Sequence, residues 1–167
     1  MSTDAIVLLK DDHKAVKKLF RAFEKSAERG TPKQRGDPVT QIIAELTKHT
    51  YIENECMYPE VRKLLPDLED EVLESYEEHH VVDVLCLELS QLSPDDDHFV
   101  AKTTVLIENV EHHIEEEEQD WFPKVRDGLI RKQLQDMGAQ LLELKATAPT
   151  TPADPRAQKS ARDAVNA

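Results

Sequence analysis

His113-Ile-Glu-Glu-Glu-Glu-Gln-Asp-Trp-Phe-Pro123 contains a histidine and a glutamate, His113 and Glu117, four residues apart. On a helix such a pair lies about one turn, roughly 6 Å, along one face, so an imidazole and a carboxylate stand side by side. The same spelling occurs earlier, in His49-Thr-Tyr-Ile-Glu53-Asn-Glu-Cys-Met-Tyr-Pro59, again with an aromatic residue before the proline. One and the same distance along the chain separates His49 from His113, Glu53 from Glu117 and Pro59 from Pro123, which is the signature of an internal duplication. The segments upstream agree: Asp12-His13-Lys-Ala-Val16-Lys-Lys-Leu19-Phe20 matches Glu78-His79-His-Val-Val82-Asp-Val-Leu85-Cys86, with an acid before the histidine and apolar residues at matching offsets.

Around these motifs the apolar residues follow the alternating threes and fours of bundled helices. Ser2 or Thr3 is the expected cap of the first helix, which Asp4 favours electrostatically, and Ile6, Leu9, His13, Val16, Phe20 and Phe23 form its seam. The stretch from Gly30 to Pro38 is rich in breakers and reads as a connection. Val39, Ile42, Leu46, His49, Glu53 and Cys56 form the second seam, with a kink or restart expected at Pro59 and a stop near Leu65. The third seam, Val72, Ser75, His79, Val82, Cys86 and Leu89, includes His79 and leaves out His80. The fourth includes Leu106, Val110, His113 and Glu117 and turns His112 outward. The other glutamates of the acidic run, Glu115, Glu116 and Glu118, read as a solvated face.

No strand-like alternation is present, so the expected fold is all-α, an up-down-up-down antiparallel four-helix bundle. Val125, Leu129, Leu134, Leu141 and Leu144 predict a C-terminal helical extension, which completes one domain over residues 1–146. Residues 147–167 turn to Ala, Thr, Pro and Asp and are expected to be a disordered tail.

The bundle brings His13, His49, Glu53, His79, His113 and Glu117 into one core. A lone seam histidine is usually a hydrogen-bonded core residue. Histidines on all four helices with two carboxylates are different, because burying each charge alone costs several kcal/mol and a bound cation removes that cost. Four imidazoles and two carboxylates exceed a structural zinc site and suffice for two ions, with iron, manganese or zinc suited to the donors. Ferritin-like sites use Glu-x-x-His pairs, whereas this chain repeats His-x-x-x-Glu. Cys56 and Cys86 are expected as free thiols that pack rather than ligate.

The net charge of −13 disfavours nucleic acid and anionic membranes as partners. No apolar run is long enough to span a membrane, and Met1-Ser-Thr-Asp-Ala lacks the features of a signal peptide, so the expected compartment is the cytoplasm.

These residues resemble the hemerythrin-like, or HHE cation-binding, domain over roughly residues 4 to 125. The resemblance rests on Asp-His13, His49-x-x-x-Glu53 with Pro59, Glu-His79, and His113-x-x-x-Glu117 with Trp-Phe-Pro123. It implies a cofactor of two iron ions with an oxo or hydroxo bridge, bridging by Glu53 and Glu117, and terminal ligation by His13, His49, His79 and His113. It also implies a small diatomic or peroxide ligand: dioxygen, hydrogen peroxide or nitric oxide. The oxygen carriers of the family have a fifth histidine, four residues from another on the third helix. Here Ser75 and Asp83 stand at those places, which leaves His80, a carboxylate or solvent to complete coordination and argues against simple oxygen carriage. The expected function is binding or turnover of a small oxidant, with an unidentified redox partner. An iron-sensing or iron-storage module is the alternative, and a metal-free interaction bundle would leave the seam carboxylates unpaired.

Overall fold

The computed structural model describes residues 4–167. Asp4 caps the first helix, α1 (Ala5–Ala27), accepting from the backbone N–H groups of Ile6 and Val7. Ser2 and Thr3, the caps expected from sequence, lie outside the described residues. The second helix, α2 (Pro32–Ile52), begins inside the stretch expected to be a connection. Thr31 and Gln34 form a reciprocal capping box, and Pro32 occupies the first turn, where a missing N–H costs nothing. Gly36 is needed where α2 meets the loop before the fourth bundle helix, because a β-carbon there would lie 2.6 Å from the Pro94 ring.

Beyond α2 comes a single wide turn of π-helix, Glu53–Met57, and then α3 (Tyr58–Leu64). A short 3₁₀ turn, Pro66–Leu68, leads to α4 (Glu69–Ser90). The fourth bundle segment repeats the second: α5 (Phe99–Glu116), a π turn (Glu117–Trp121), then α6 (Phe122–Gly128). Pro59 and Pro123 explain both wide turns. Neither offers an N–H to the carbonyl four residues back, so Tyr58 N–H reaches five residues back to Glu53 and Phe122 N–H reaches Glu117. The expected kink at proline takes this specific form in both halves.

In the resulting all-α bundle, α1 packs on α2, α4 on α5, α2 on α4, and α1 on α5. Every predicted seam residue of the four segments is buried. The extension is α7 (Arg131–Thr147), which buries Leu134, Met137 and Leu141 against α1, α2 and the first π turn. Residues 147–167 depart from the expected disorder. Asp154 caps α8 (Pro155–Val165) and pairs with Arg156, while Ser160 and Ala164 are buried as the helix lies on α4 and α2. An Asp-Pro helix start with a small-residue face needs little apolar content to dock, and composition alone did not reveal it.

The apolar core is in two parts. One surrounds Leu9, Ile52, Met57, Val61, Val72, Phe122 and Val125, and the other Phe20, Ile42, Leu46, Val82, Leu89, Leu106 and Ile114. His13, His49, Glu53, His79, His113 and Glu117 are buried along the same seams and form a polar layer between the two. No helix among the described residues is long and apolar enough to cross a membrane.

Candidate metal centre

Each bundle helix delivers its histidine to this layer with a ring edge turned inward. His13 Nε2 lies 3.3 Å from Glu117 Oε2, and His113 Nε2 lies 3.6 Å from Glu117 Oε1. His49 Nε2 and His79 Nε2 lie 3.1 and 3.2 Å from Glu53 Oε2. Each carboxylate thus stands between two histidines. Two donor groups result: His13, His49, Glu53 and Glu117, and Glu53, His79 and His113, each with its donor atoms within 4.8 Å of one another. The structure brings all six sequence-predicted residues together. His112 and His80 face solvent, as the seam register requires, and Cys56 and Cys86 are free, buried and outside the cluster.

The donors fit a cation better than they fit each other. His13 Nε2, both ring nitrogens of His49, Glu53 Oε1 and Glu117 Oε2 are buried without a hydrogen-bond partner. Polar atoms this deep are normally paired. Separations of 3.1 to 3.6 Å are close to the ~3 Å edge of a coordination shell with bonds of about 2.1 Å.

Three of the four outer ring nitrogens are held from behind, and the fourth, on His49, faces a carboxylate beyond hydrogen-bond distance. His13 Nδ1 donates to Glu118 Oε1 (2.8 Å), His79 Nδ1 to Asn54 Oδ1 (2.9 Å) and His113 Nδ1 to Glu78, while Asp12 Oδ2 stands 3.7 Å from His49 Nδ1. Carboxylate and amide oxygens only accept, so in His13, His79 and His113 the hydrogen sits on Nδ1, and in the neutral ring Nε2 is the inward donor. Burial opposes charge throughout the layer, but for several groups pairing outweighs it. Glu53 is held well below the usual carboxylate range by His49 and His79, and His49 well above its usual value by Glu53 and Asp12. His113 rises to about 9 beside Glu117 and Glu78. His79, held by an amide, is pushed down by burial and by His113.

Tyr58 is the residue that sequence reasoning missed. Its hydroxyl donates to Glu117 Oε1 (2.8 Å) and lies 3.2 Å from Glu53 Oε2, 3.1 Å from His79 Nε2 and 3.4 Å from His113 Nε2. Five residues apart on an α-helix, Tyr58 would point about 140° away from Glu53, and the π turn brings it round to the same side. Burial, with Glu117 and Glu53, pushes its phenol well above the usual value. Its counterpart in the second half, Phe122, stacks on His13 with ring centroids 5.8 Å apart. Glu118 is a second omission: read as part of a solvated face, it fixes the His13 ring.

The hemerythrin HHE cation binding domain family matches residues 4–125. The chain belongs to this family. It is 26% identical over 139 residues to a DNA nickase of Nostoc sp., a match that takes in 83% of this chain and 38% of the nickase. It is also 26% identical over 111 residues to an uncharacterised hemerythrin-like protein of Schizosaccharomyces pombe, covering 66% of this chain and 55% of that one. The chain therefore spans between about two-fifths and just over half of these relatives' lengths. The crystal structure of a hemerythrin HHE cation-binding-domain-containing protein from Mycobacterium kansasii shares the fold, with a TM-score of 0.65 at 21% identity over 86% of this chain and 88% of that one. As a hemerythrin-like cation-binding domain, the chain carries a buried His/Glu cluster able to hold metal.

Asp83, one alternative for completing the site, is turned away from it and accepts from the Thr50 hydroxyl at 2.9 Å, in a groove also lined by His80 and Arg162. Burial raises its carboxyl to about 7 from an ordinary 3.8. Below the unfolded value both states hold the proton. Between the two values only the folded state does, so stability falls as pH rises through this window and levels off above about 7. Asp83→Asn keeps the acceptor for Thr50 and removes that penalty. Urea unfolding is expected to show a gain of about 4 kcal/mol at pH 8 and well under about 1 kcal/mol at pH 4, and an equal change at both would contradict this.

Proposed function

We propose that the protein holds two irons with an oxo or hydroxo bridge, Glu53 and Glu117 spanning them, and that it binds or turns over a small oxidant: hydrogen peroxide, nitric oxide or dioxygen. One position is formed by His13 and His49 and the other by His79 and His113. Tyr58, whose hydroxyl lies among His79, His113 and both carboxylates, stands beside the second position as a hydrogen-bond donor. When bound, a pair of irons supplies and accepts electrons for a small oxidant.

The observation that carries this reading is the cavity beside the donors. It has a volume of about 20 Å³, is bounded by His13, His49, His79 and His113, and is walled by Val16, Leu46, Val82 and Val110. That is room for about one water-sized molecule. This mainly apolar wall, interrupted by Asp12, Glu45 and Thr50, admits only small molecules, while Tyr58, Glu53 and Glu117 lie outside the cavity's lining, where the Tyr58 hydroxyl donates to Glu117. Beyond these groups a coordinated small ligand requires little acid–base machinery.

A second reading, iron sensing or storage, draws on a different feature. A cleft of about 320 Å³ lined by Glu71, Glu74, Glu78, Glu116 and Asp120 reaches His113 and Glu117 from outside, which suits passage of a cation. Iron that leaves reversibly to a chelator, with partial unfolding, would favour it over oxidant chemistry. Nucleic acid is not among the partners we propose. A net charge of −13 opposes phosphate binding, and the likeness to the nickase extends over only 38% of that protein.

Anaerobic loading followed by metal analysis is expected to give about two irons per chain. Glu53→Ala and Glu117→Ala should each lose at least one of them. His79→Ala and His113→Ala should disrupt loading while His80→Ala and His112→Ala spare it, and equal loss from His112→Ala and His113→Ala would show that the inward register is wrong.

The resting protein is expected to be diferric and to respond spectrally to hydrogen peroxide or nitric oxide in stopped-flow mixing. Reversible uptake of dioxygen by the reduced protein, with the gas recovered under vacuum, would contradict this and restore a carrier role.

A further inference from the structure

The duplication relates α1 to α4 and the α2–α3 segment to the α5–α6 segment, and it extends beyond the six inner groups to the residues that hold them. Asp12, just before His13, faces the outer nitrogen of His49, and Glu78, just before His79, holds that of His113. Glu118, just after Glu117, accepts from His13 at 2.8 Å. The residue just after Glu53 accepts from His79 in the same way, at 2.9 Å, but it is Asn54. The groups facing the outer nitrogens are three carboxylates, two of them hydrogen-bonded and Asp12 standing off at 3.7 Å, and one neutral amide.

That exchange alters donor strength without altering geometry. A carboxylate draws the Nδ1 proton toward itself and makes Nε2 the more electron-rich donor, and an uncharged amide oxygen does this less. Asn54 is itself 8% exposed, so water does not make up the difference. His79 belongs to the donor group shared with Glu53 and His113, while His13 and His49 belong to the other. We infer that Asn54 is a positioning residue that makes the His79–His113 position the weaker of the two for a divalent cation, so that the centre fills in order, the His13–His49 position first. The inference rests on the metal-centre reading above.

Tyr58 and Phe122 also differ between the halves, so the test is made in both wild-type and Tyr58→Phe backgrounds. Full-length protein is titrated anaerobically with Co²⁺, followed by calorimetry and ligand-field absorption. Two steps are expected, the second about 10- to 100-fold weaker. Asn54→Asp, which adds charge at nearly constant volume, should tighten the weak step about 10-fold and leave the strong step in place, whereas Glu118→Gln should weaken the strong step. His13→Ala and His79→Ala isolate the two positions, and of these two backgrounds Asn54→Asp should tighten binding in His13→Ala and not in His79→Ala. Thermal unfolding without Co²⁺ checks that each variant is folded. If Asn54→Asp does not fold, Asn54→Ala, which removes the acceptor, must weaken the second step further. Two equal steps, or an Asn54→Asp effect that is absent or equal at both positions, overturn this inference and leave the metal centre standing. No Co²⁺ binding at all overturns both.

Discussion

Six ionisable side chains share one buried layer, and their charges have to be balanced inside it. Glu53 is 0% exposed and Glu117 2%, with His13, His79 and His113 close behind, so solvent screens none of them. In such surroundings an unpaired charge costs several kcal/mol. The imidazoles meet part of that cost by pairing with the carboxylates, yet Glu53 Oε1, Glu117 Oε2, His13 Nε2 and His49 Nε2 still lack hydrogen-bond partners. A cation at the centre of the donor set satisfies these atoms together, whereas a rearrangement of hydrogen bonds would satisfy one and strand another.

The rest of the molecule serves that layer. Two apolar clusters, one on each side, fix the four helices so that the histidines cannot withdraw. The π turns bring Tyr58 to the centre and Phe122 onto His13, so that one donor group gains a phenol and the other a hydrophobic cover. Glu78 and Glu118 set the ring orientations of His113 and His13, and with Asp12 they place carboxylates just outside the donors. The acidic surplus of the sequence is therefore partly a property of the site. Around the donors the two halves differ at Tyr58 against Phe122 and at Asn54 against Glu118, the first of each pair touching His79 and the second His13.

What could be read in the sequence follows from periodicity and repetition. The seams of α1, α2, α4 and α5 are spaced by helical geometry, so the inward positions of His13, His49, His79 and His113 and the outward positions of His80 and His112 were legible, as was the pairing of each carboxylate with its histidine. Tyr58 was not legible, because its place depends on a wide turn that an α-helical count puts on the wrong side. Glu118 was read as solvated because exposure was inferred from its acidic neighbours, while its contact to His13 comes from another helix. The early start of α2 was hidden because Pro32 and Pro38 read as breakers, although Pro32 sits in the first turn, where proline is well tolerated, and the helix continues through Pro38. Residues 147–167 carry too few large apolar side chains to signal a helix, and α8 docks through Ser160 and Ala164.

The central claim is that this layer is a two-iron centre, and anomalous diffraction from crystals of the iron-loaded protein tests it most directly. Data collected on either side of the iron absorption edge should show two peaks roughly 3.5–4 Å apart, one beside His13 and His49 and the other beside His79 and His113, with Glu53 and Glu117 between them. Iron found instead at the more exposed group formed by Glu78, His112 and Glu116, or no iron between the four helices, would contradict the account.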